Sequence, residues 1–94
     1  MTDDGPVRET FVIQNRLGLH ARAAALFVQT VAGLDAEVSV TKDDETVNGK
    51  SIMGLMMLAA GKGSTIDVEA CGPAAKEAVE AIRALIGDKF REPD

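Results

Sequence analysis

The chain has no tryptophan, no tyrosine and only three phenylalanines among its 94 residues. A surface that binds nucleic acid needs stacking aromatics and a basic stripe. With a formal net charge of −5 the chain offers neither. Cys71 is the single cysteine, which rules out an internal disulfide, and His20 is the single histidine. One of each is too few for a zinc site built from the usual ligands. Long apolar runs are missing as well. The nearly apolar stretch Ile52 to Ala60 is far too short to cross a bilayer. The start, Met1-Thr2-Asp3-Asp4-Gly5-Pro6, is acidic and unlike a secretory signal. These absences predict a cytoplasmic protein with no metal, no cofactor, no nucleic-acid partner and no membrane insertion. An acidic body suits protein partners with basic docking faces.

What remains is a chain with 46% hydrophobic and 27% charged residues, the balance of a globular protein. Its length suits one domain spanning residues 1–94, with short polar tails at 1–6 and 88–94. Val7, Thr10, Phe11, Val12 and Ile13 suggest a first strand. Ala24, Phe27, Val28 and Val31 fall at helical spacing over about Ala21 to Ala32, and Gly33 offers a left-handed stop. Ala36, Val38 and Val40 alternate with polar residues, so a strand with one buried face is predicted. Asp43-Asp44 marks a turn into a short partner strand, Glu45-Thr46-Val47. Ser51 reads as the N-cap of a short helix ending near Gly61. Ile66, Val68 and Ala70 alternate as a last strand. Pro73 fits the first turn of a final helix and Gly87 its end, with Ala75, Ala78, Val79, Ile82, Leu85 and Ile86 on one face. The order β-α-β-β-α-β-α predicts an α+β fold of two layers, helices covering one side of a mainly antiparallel sheet. Ferredoxin-like folds share much of this pattern.

His20 opens the second element in Gly18-Leu19-His20-Ala21-Arg22-Ala23-Ala24. A side chain at a helix start meets unpaired backbone N–H groups and the positive end of the helix dipole. That environment favours an uncharged, nucleophilic imidazole. If the ring gained a phosphoryl group, the same N–H groups and Arg22 could hold the new charge. From position alone a solvent-facing histidine is the simpler account. Gly49-Lys50-Ser51 resembles the end of a phosphate-binding loop, but position 44 holds Asp44 where that loop needs glycine. No nucleophile elbow for a serine hydrolase occurs. The segment Ile52, Met53, Leu55, Met56, Met57, Leu58 is apolar nearly all round. Core packing accounts for Leu55 and Leu58. Met53 and a neighbour are left as an adaptable docking patch or as incidental exposure.

Gly18-Leu19-His20-Ala21-Arg22 together with Asn48-Gly49-Lys50-Ser51-Ile52-Met53-Gly54-Leu55 resembles HPr, the histidine-containing phosphocarrier family of the bacterial phosphoenolpyruvate-dependent phosphotransferase system. The resemblance covers nearly the whole chain. It implies an open-faced sandwich with sheet order 1-4-2-3. His20 would take a phosphoryl group from the phosphohistidine of Enzyme I, on the ring nitrogen facing the helix start. Arg22 would steady it, and it would pass to a histidine of an Enzyme IIA. Ser51 matches the regulatory serine modified by HPr kinase/phosphorylase in some branches, and Ile52, Met53 and Met56 match the apolar docking surface. Such a protein relays phosphoryl groups as a monomer and catalyses nothing alone. One departure stands out: Ala23 occupies a place where the family usually has proline. It leaves open whether the chain serves sugar uptake or the nitrogen-related branch. Two other classes are weighed against it: a small ligand-sensing domain that shares the element order and leaves His20 unmodified, and a small hydrolase of acyl or phosphoryl groups that turns over a substrate alone.

Overall fold

A computed structural model describes residues 5–92. Its elements are β1 Val7–Val12, α1 Ala21–Ala32, β2 Glu37–Lys42, β3 Glu45–Asn48, α2 Ile52–Met57, β4 Thr65–Cys71 and α3 Ala75–Gly87, followed by a single 3-10 turn, Lys89–Arg91. The four strands form one sheet in the order β1-β4-β2-β3, antiparallel throughout. The class, element order and sheet order are those expected from the sequence.

Alternation sets which face is buried. Val68 lies opposite Glu9 on one side and Val40 on the other. Ile66, Val68, Ala70, Val38 and Val40 point into the core, while Glu37 and Asp67 stay exposed. The stripe of α1 (Ala23, Ala24, Phe27, Val31) and that of α3 (Ala75, Ala78, Val79, Ile82, Leu85, Ile86) cover that inward face. Full burial of a side chain such as Phe27 or Ile82 stabilises by about 1.5–3 kcal/mol. An exposed surface pair contributes about 0–1 kcal/mol, so the core rather than pairs such as Arg8–Glu69 holds the fold.

Several boundaries differ from the sequence expectation, each for a local reason. Helix α2 ends at Met57, not near Gly61, because Ala59 takes a left-handed φ of 51°. The chain after it turns back to accept the Leu19 N–H on the Ala60 carbonyl at 2.9 Å. Gly33 does end α1, but with φ −88°, so no left-handed cap is used. Pro73 precedes α3 rather than opening it, since the helix starts at Ala75 with Ala74 at its cap. Asp43 and Asp44 both have positive φ, 49° and 70°, the geometry of a two-residue hairpin.

The largest difference is at the C-terminal end. Residues 88–94 were expected to form a polar tail, yet Phe90 is fully buried within the core cluster. Lys89, Phe90 and Arg91 have φ of 51°, 54° and 59°, a left-handed turn made without glycine. Such backbone is costly for residues with a Cβ. It is held here by the buried ring and by backbone bonds from Arg91 to Asp88 and from Glu92 to Lys89. Residues 1–4 and 93–94 of the expected tails lie outside the described residues.

Candidate phosphoryl-accepting site

The site begins with a backbone that tolerates no side chain. Gly18 has φ 68°, and a Cβ there would overlap the Ala60 carbonyl. This close approach joins the loop before α1 to the loop after α2 and delivers His20 to the N-cap of α1. His20 is extended, at φ −75° and ψ −178°, and its carbonyl accepts the first helical N–H, from Ala24, at 2.8 Å. Its Nδ1 accepts the Arg22 N–H at 3.2 Å, so that ring nitrogen faces the helix start. The N–H groups of Ala21 and Ala23 carry no hydrogen bond among the described residues and point out of the same helix end. A proline at position 23 would have no N–H to offer.

The opposite edge of the ring is also fixed. Nε2 lies 2.7 Å from Oε2 of Glu92. The Glu92 side chain is only 8% exposed, and its carboxylate also accepts from Asn15 Nδ2 at 2.6 Å and, at the long distance of 3.5 Å, from the Leu17 N–H. Asn15 is the one buried polar residue among those described, and its Nδ2 donates to the Gly18 carbonyl as well, at 2.8 Å. Burial pushes the Glu92 carboxyl up, but the bonds from Asn15, His20 and Leu17 outweigh it and hold the group below the ordinary carboxylate value. A carboxyl lowered in the folded state stabilises the fold above its unfolded value and loses that contribution as pH falls through the folded one. Parent and Glu92→Gln are therefore expected to differ in thermal midpoint at neutral pH, with the parent higher. The gap should close as the pH drops below the carboxylate range. A gap that persists unchanged in acid would contradict the lowered carboxyl.

The Arg22 guanidinium is not free. Nη1 donates to the Phe90 carbonyl at 3.2 Å and Nη2 to that of Arg91 at 3.5 Å. The C-terminal turn therefore touches both members of the His20–Arg22 pair. Ser51 caps α2 as expected, its Oγ accepting the Gly54 N–H at 3.0 Å. Leu55 and Leu58 are buried, whereas Ile52, Met53 and Met56 are exposed, Met53 by 74%. Met57, at 66%, and Leu17, at 58%, are exposed apolar side chains as well. Leu17, Leu19, His20, Ala59, Ala60 and Gly61 outline a shallow depression beside the ring.

Other chemistries find no support in this geometry. Gly49 is explained by its close approach to Val38, and Lys50 Nζ donates to the Leu34 carbonyl at 3.0 Å. Among the described residues no three His, Cys, Asp or Glu side chains gather as metal ligands, and no helix is long and apolar enough to cross a membrane. An open histidine flanked by unpaired donors suits an anionic group that is taken up and given away, because few contacts hold it.

Asn15, Phe90 and Glu92 were not foreseen from the sequence. Phe90 was the available signal, a lone aromatic in an otherwise polar segment.

A family model described as the phosphorylation-site component HPr of the phosphotransferase system matches residues 7–88. The phosphocarrier protein HPr of Neisseria meningitidis serogroup A is 51% identical over 86 residues, covering 92% of this chain and 97% of its own. The phosphocarrier protein NPr of Escherichia coli K12 is 41% identical over 87 residues, with 92% and 97% covered. The crystal structure of an HPr from Thermoanaerobacter tengcongensis superposes with a TM-score of 0.89 at 43% identity, covering 94% of this chain and 99% of that one. Sequence and fold agree across nearly the full length, and the chain belongs to the HPr and NPr family of phosphotransferase-system phosphocarriers, which carry a phosphoryl group rather than act as enzymes proper.

Proposed function

We propose that Nδ1 of His20 accepts a phosphoryl group from the phosphohistidine of Enzyme I and passes it to a histidine of an Enzyme IIA. The relay would operate in the cytoplasm, in sugar uptake or in the nitrogen-related branch. The observation that carries this is the placement of Nδ1 at the start of α1, with the Arg22 N–H on it, exposed Ala21 next to it and the Ala21 N–H carrying no hydrogen bond among the described residues. In each transfer the Nδ1 lone pair forms a bond to phosphorus while the donor's N–P bond breaks and its electron pair returns to the donor nitrogen. The helix-end donors and dipole meet the phosphoryl oxygens. Arg22 exchanges its neutral carbonyl partners for anionic oxygens, a stronger, charge-assisted bond. Because His20 and Arg22 come from one chain, a monomer suffices. The test is incubation with Enzyme I and phosphoenolpyruvate, then with an Enzyme IIA. The chain should gain one base-stable, acid-labile phosphate and lose it to the second protein. A chain that gains none would overturn the proposal.

Partners dock, on this account, over Ile52, Met53 and Met56, extended by Met57 and Leu17. Ser51, at the edge of that surface, serves as the regulatory position for an HPr kinase/phosphorylase. A phosphate on Ser51 would stand at the start of α2, where its charge is tolerated, but it must be desolvated when a partner covers the neighbouring apolar side chains. Met53→Glu and Ser51→Asp are thus expected to keep the parent's thermal midpoint while weakening binding to Enzyme I and slowing transfer to His20. Titration calorimetry and transfer rates check this. Unchanged affinity in both variants would make the surface incidental.

A further inference from the structure

Helix α2 carries three thioethers on one surface. Steps of about 100° per residue set Ile52, Met56, Met53 and Met57 side by side on a single arc. Leu55 and Leu58 lie on the other side and are buried. Met53 and Met57 give most of their surface to solvent, and Met56 is 43% exposed. The two leucines attach the helix to the core, so the fold does not depend on these sulfurs. No side chain from Ile52 to Ala60 can donate a hydrogen bond. The nearby Lys50 ammonium is already engaged by the Leu34 carbonyl. The remaining sulfur among the described residues is that of Cys71, which is exposed and alternates with buried Ala70 in β4. It therefore faces the open side of the sheet, away from the helices.

We propose that Met53, Met56 and Met57 form a modification site for two-electron oxidants of the hydroperoxide class, and that sulfoxide formation there blocks docking of the phosphoryl donor. The assignment rests on the docking reading of α2 and adds a control to it. With hydrogen peroxide, a sulfur lone pair takes one oxygen, the O–O bond breaks and the other oxygen leaves as water. Sulfur is oxidised by two electrons and the peroxide is reduced by two. A flexible apolar side chain becomes a polar one with an acceptor oxygen. In the free protein, water solvates that oxygen. Under a partner the water is lost, and α2 offers no donor in exchange. The step reverses when a methionine sulfoxide reductase releases the oxygen as water and two thiols become a disulfide. The side-chain hydrogen bonds of His20 go to α1 and the C-terminal turn, not to α2, so its own reactivity is retained.

The test uses Cys71→Ser throughout, which removes the single thiol. Dilute hydrogen peroxide is added, and peptide mass spectrometry locates each added oxygen. Met53 and Met57 should be oxidised before Met56, in the order of their exposure, with the thermal midpoint unchanged. By titration calorimetry, affinity for Enzyme I should fall about tenfold or more, the scale of a buried acceptor left without a partner. It should return after treatment with the reductase and dithiothreitol. Phosphoramidate, a small phosphoryl donor that needs no docking surface, should phosphorylate His20 at an unchanged rate. A variant with Met53→Leu, Met56→Leu and Met57→Leu should bind equally well before and after peroxide, whatever its starting affinity. Sulfurs that resist peroxide, or an equal loss of affinity in the leucine variant, would overturn the assignment. A fall in the phosphoramidate rate or the thermal midpoint would overturn it too. Met53→Glu distinguishes the two readings. If it weakens binding and oxidation does not, the oxidation assignment alone fails; if neither weakens binding, the docking reading fails with it.

Discussion

His20→Ala is expected to fold as the parent does and to accept no phosphoryl group from Enzyme I and phosphoenolpyruvate. The imidazole is only part-buried, its side chain 27% exposed, and its structural duties are an N-cap bond to Arg22 and a bond to Glu92. Losing a cap costs about 0.5–2 kcal/mol, small against the ~5–15 kcal/mol by which domains are usually stable. Function has no such reserve, because no other histidine is present to take a phosphoryl group on an imidazole nitrogen. Circular dichroism and gel-based transfer assays check the two halves separately. A nitrogen-linked phosphate on the variant would remove the central role of His20.

Phe90→Ala should have the largest effect on stability of any single change near the site. The ring is fully buried and, with Phe27, heads the largest such side chains. Truncating a buried phenylalanine costs about 3–5 kcal/mol, the lost transfer energy plus the cavity left behind. The consequence reaches further than the core. With the anchor gone, the left-handed turn has little to hold it, and it supplies the carbonyls on Arg22 and leads into the carboxylate on His20. Urea unfolding should show the loss of stability. A loss below about 1 kcal/mol, the scale of ordinary surface changes, would mean that the turn is not a core element.

The contrast between Phe90 and the rest of the chain shows what periodicity can convey. The stripes of α1 and α3 and the alternation in β2 and β4 were legible because regular elements repeat their burial every 3.6 or two residues. Ser51 was legible because an N-cap depends on one local bond. The turn at Lys89–Arg91 repeats nothing. Its conformation is disfavoured for each residue taken alone and exists because one ring finds a place in the core. Glu92 was invisible for a related reason: its partners Asn15 and His20 are far away in sequence and meet it only through the fold. His20 stood out by composition and by its place before an alanine-rich helix, whereas the resemblance to HPr supplied its chemistry. Arg22 was legible as a basic residue beside the site. Its present engagement with the C-terminal carbonyls was not, since those carbonyls belong to the unforeseen turn. For α2, apolarity all round gave the exposed surface in outline, and only the helix phase distinguishes Met57, which is exposed, from Leu58, which is buried.

The most direct measurement of the central claim is the position of the phosphoryl group on the intact protein. After phosphorylation by Enzyme I and phosphoenolpyruvate, phosphorus and nitrogen NMR of the 15N-labelled chain identify the ring atom bonded to phosphorus. The expected result is one phosphohistidine at His20, with phosphorus on Nδ1, the nitrogen at the start of α1. A phosphoryl group on Nε2, or on any residue other than His20, would contradict the account.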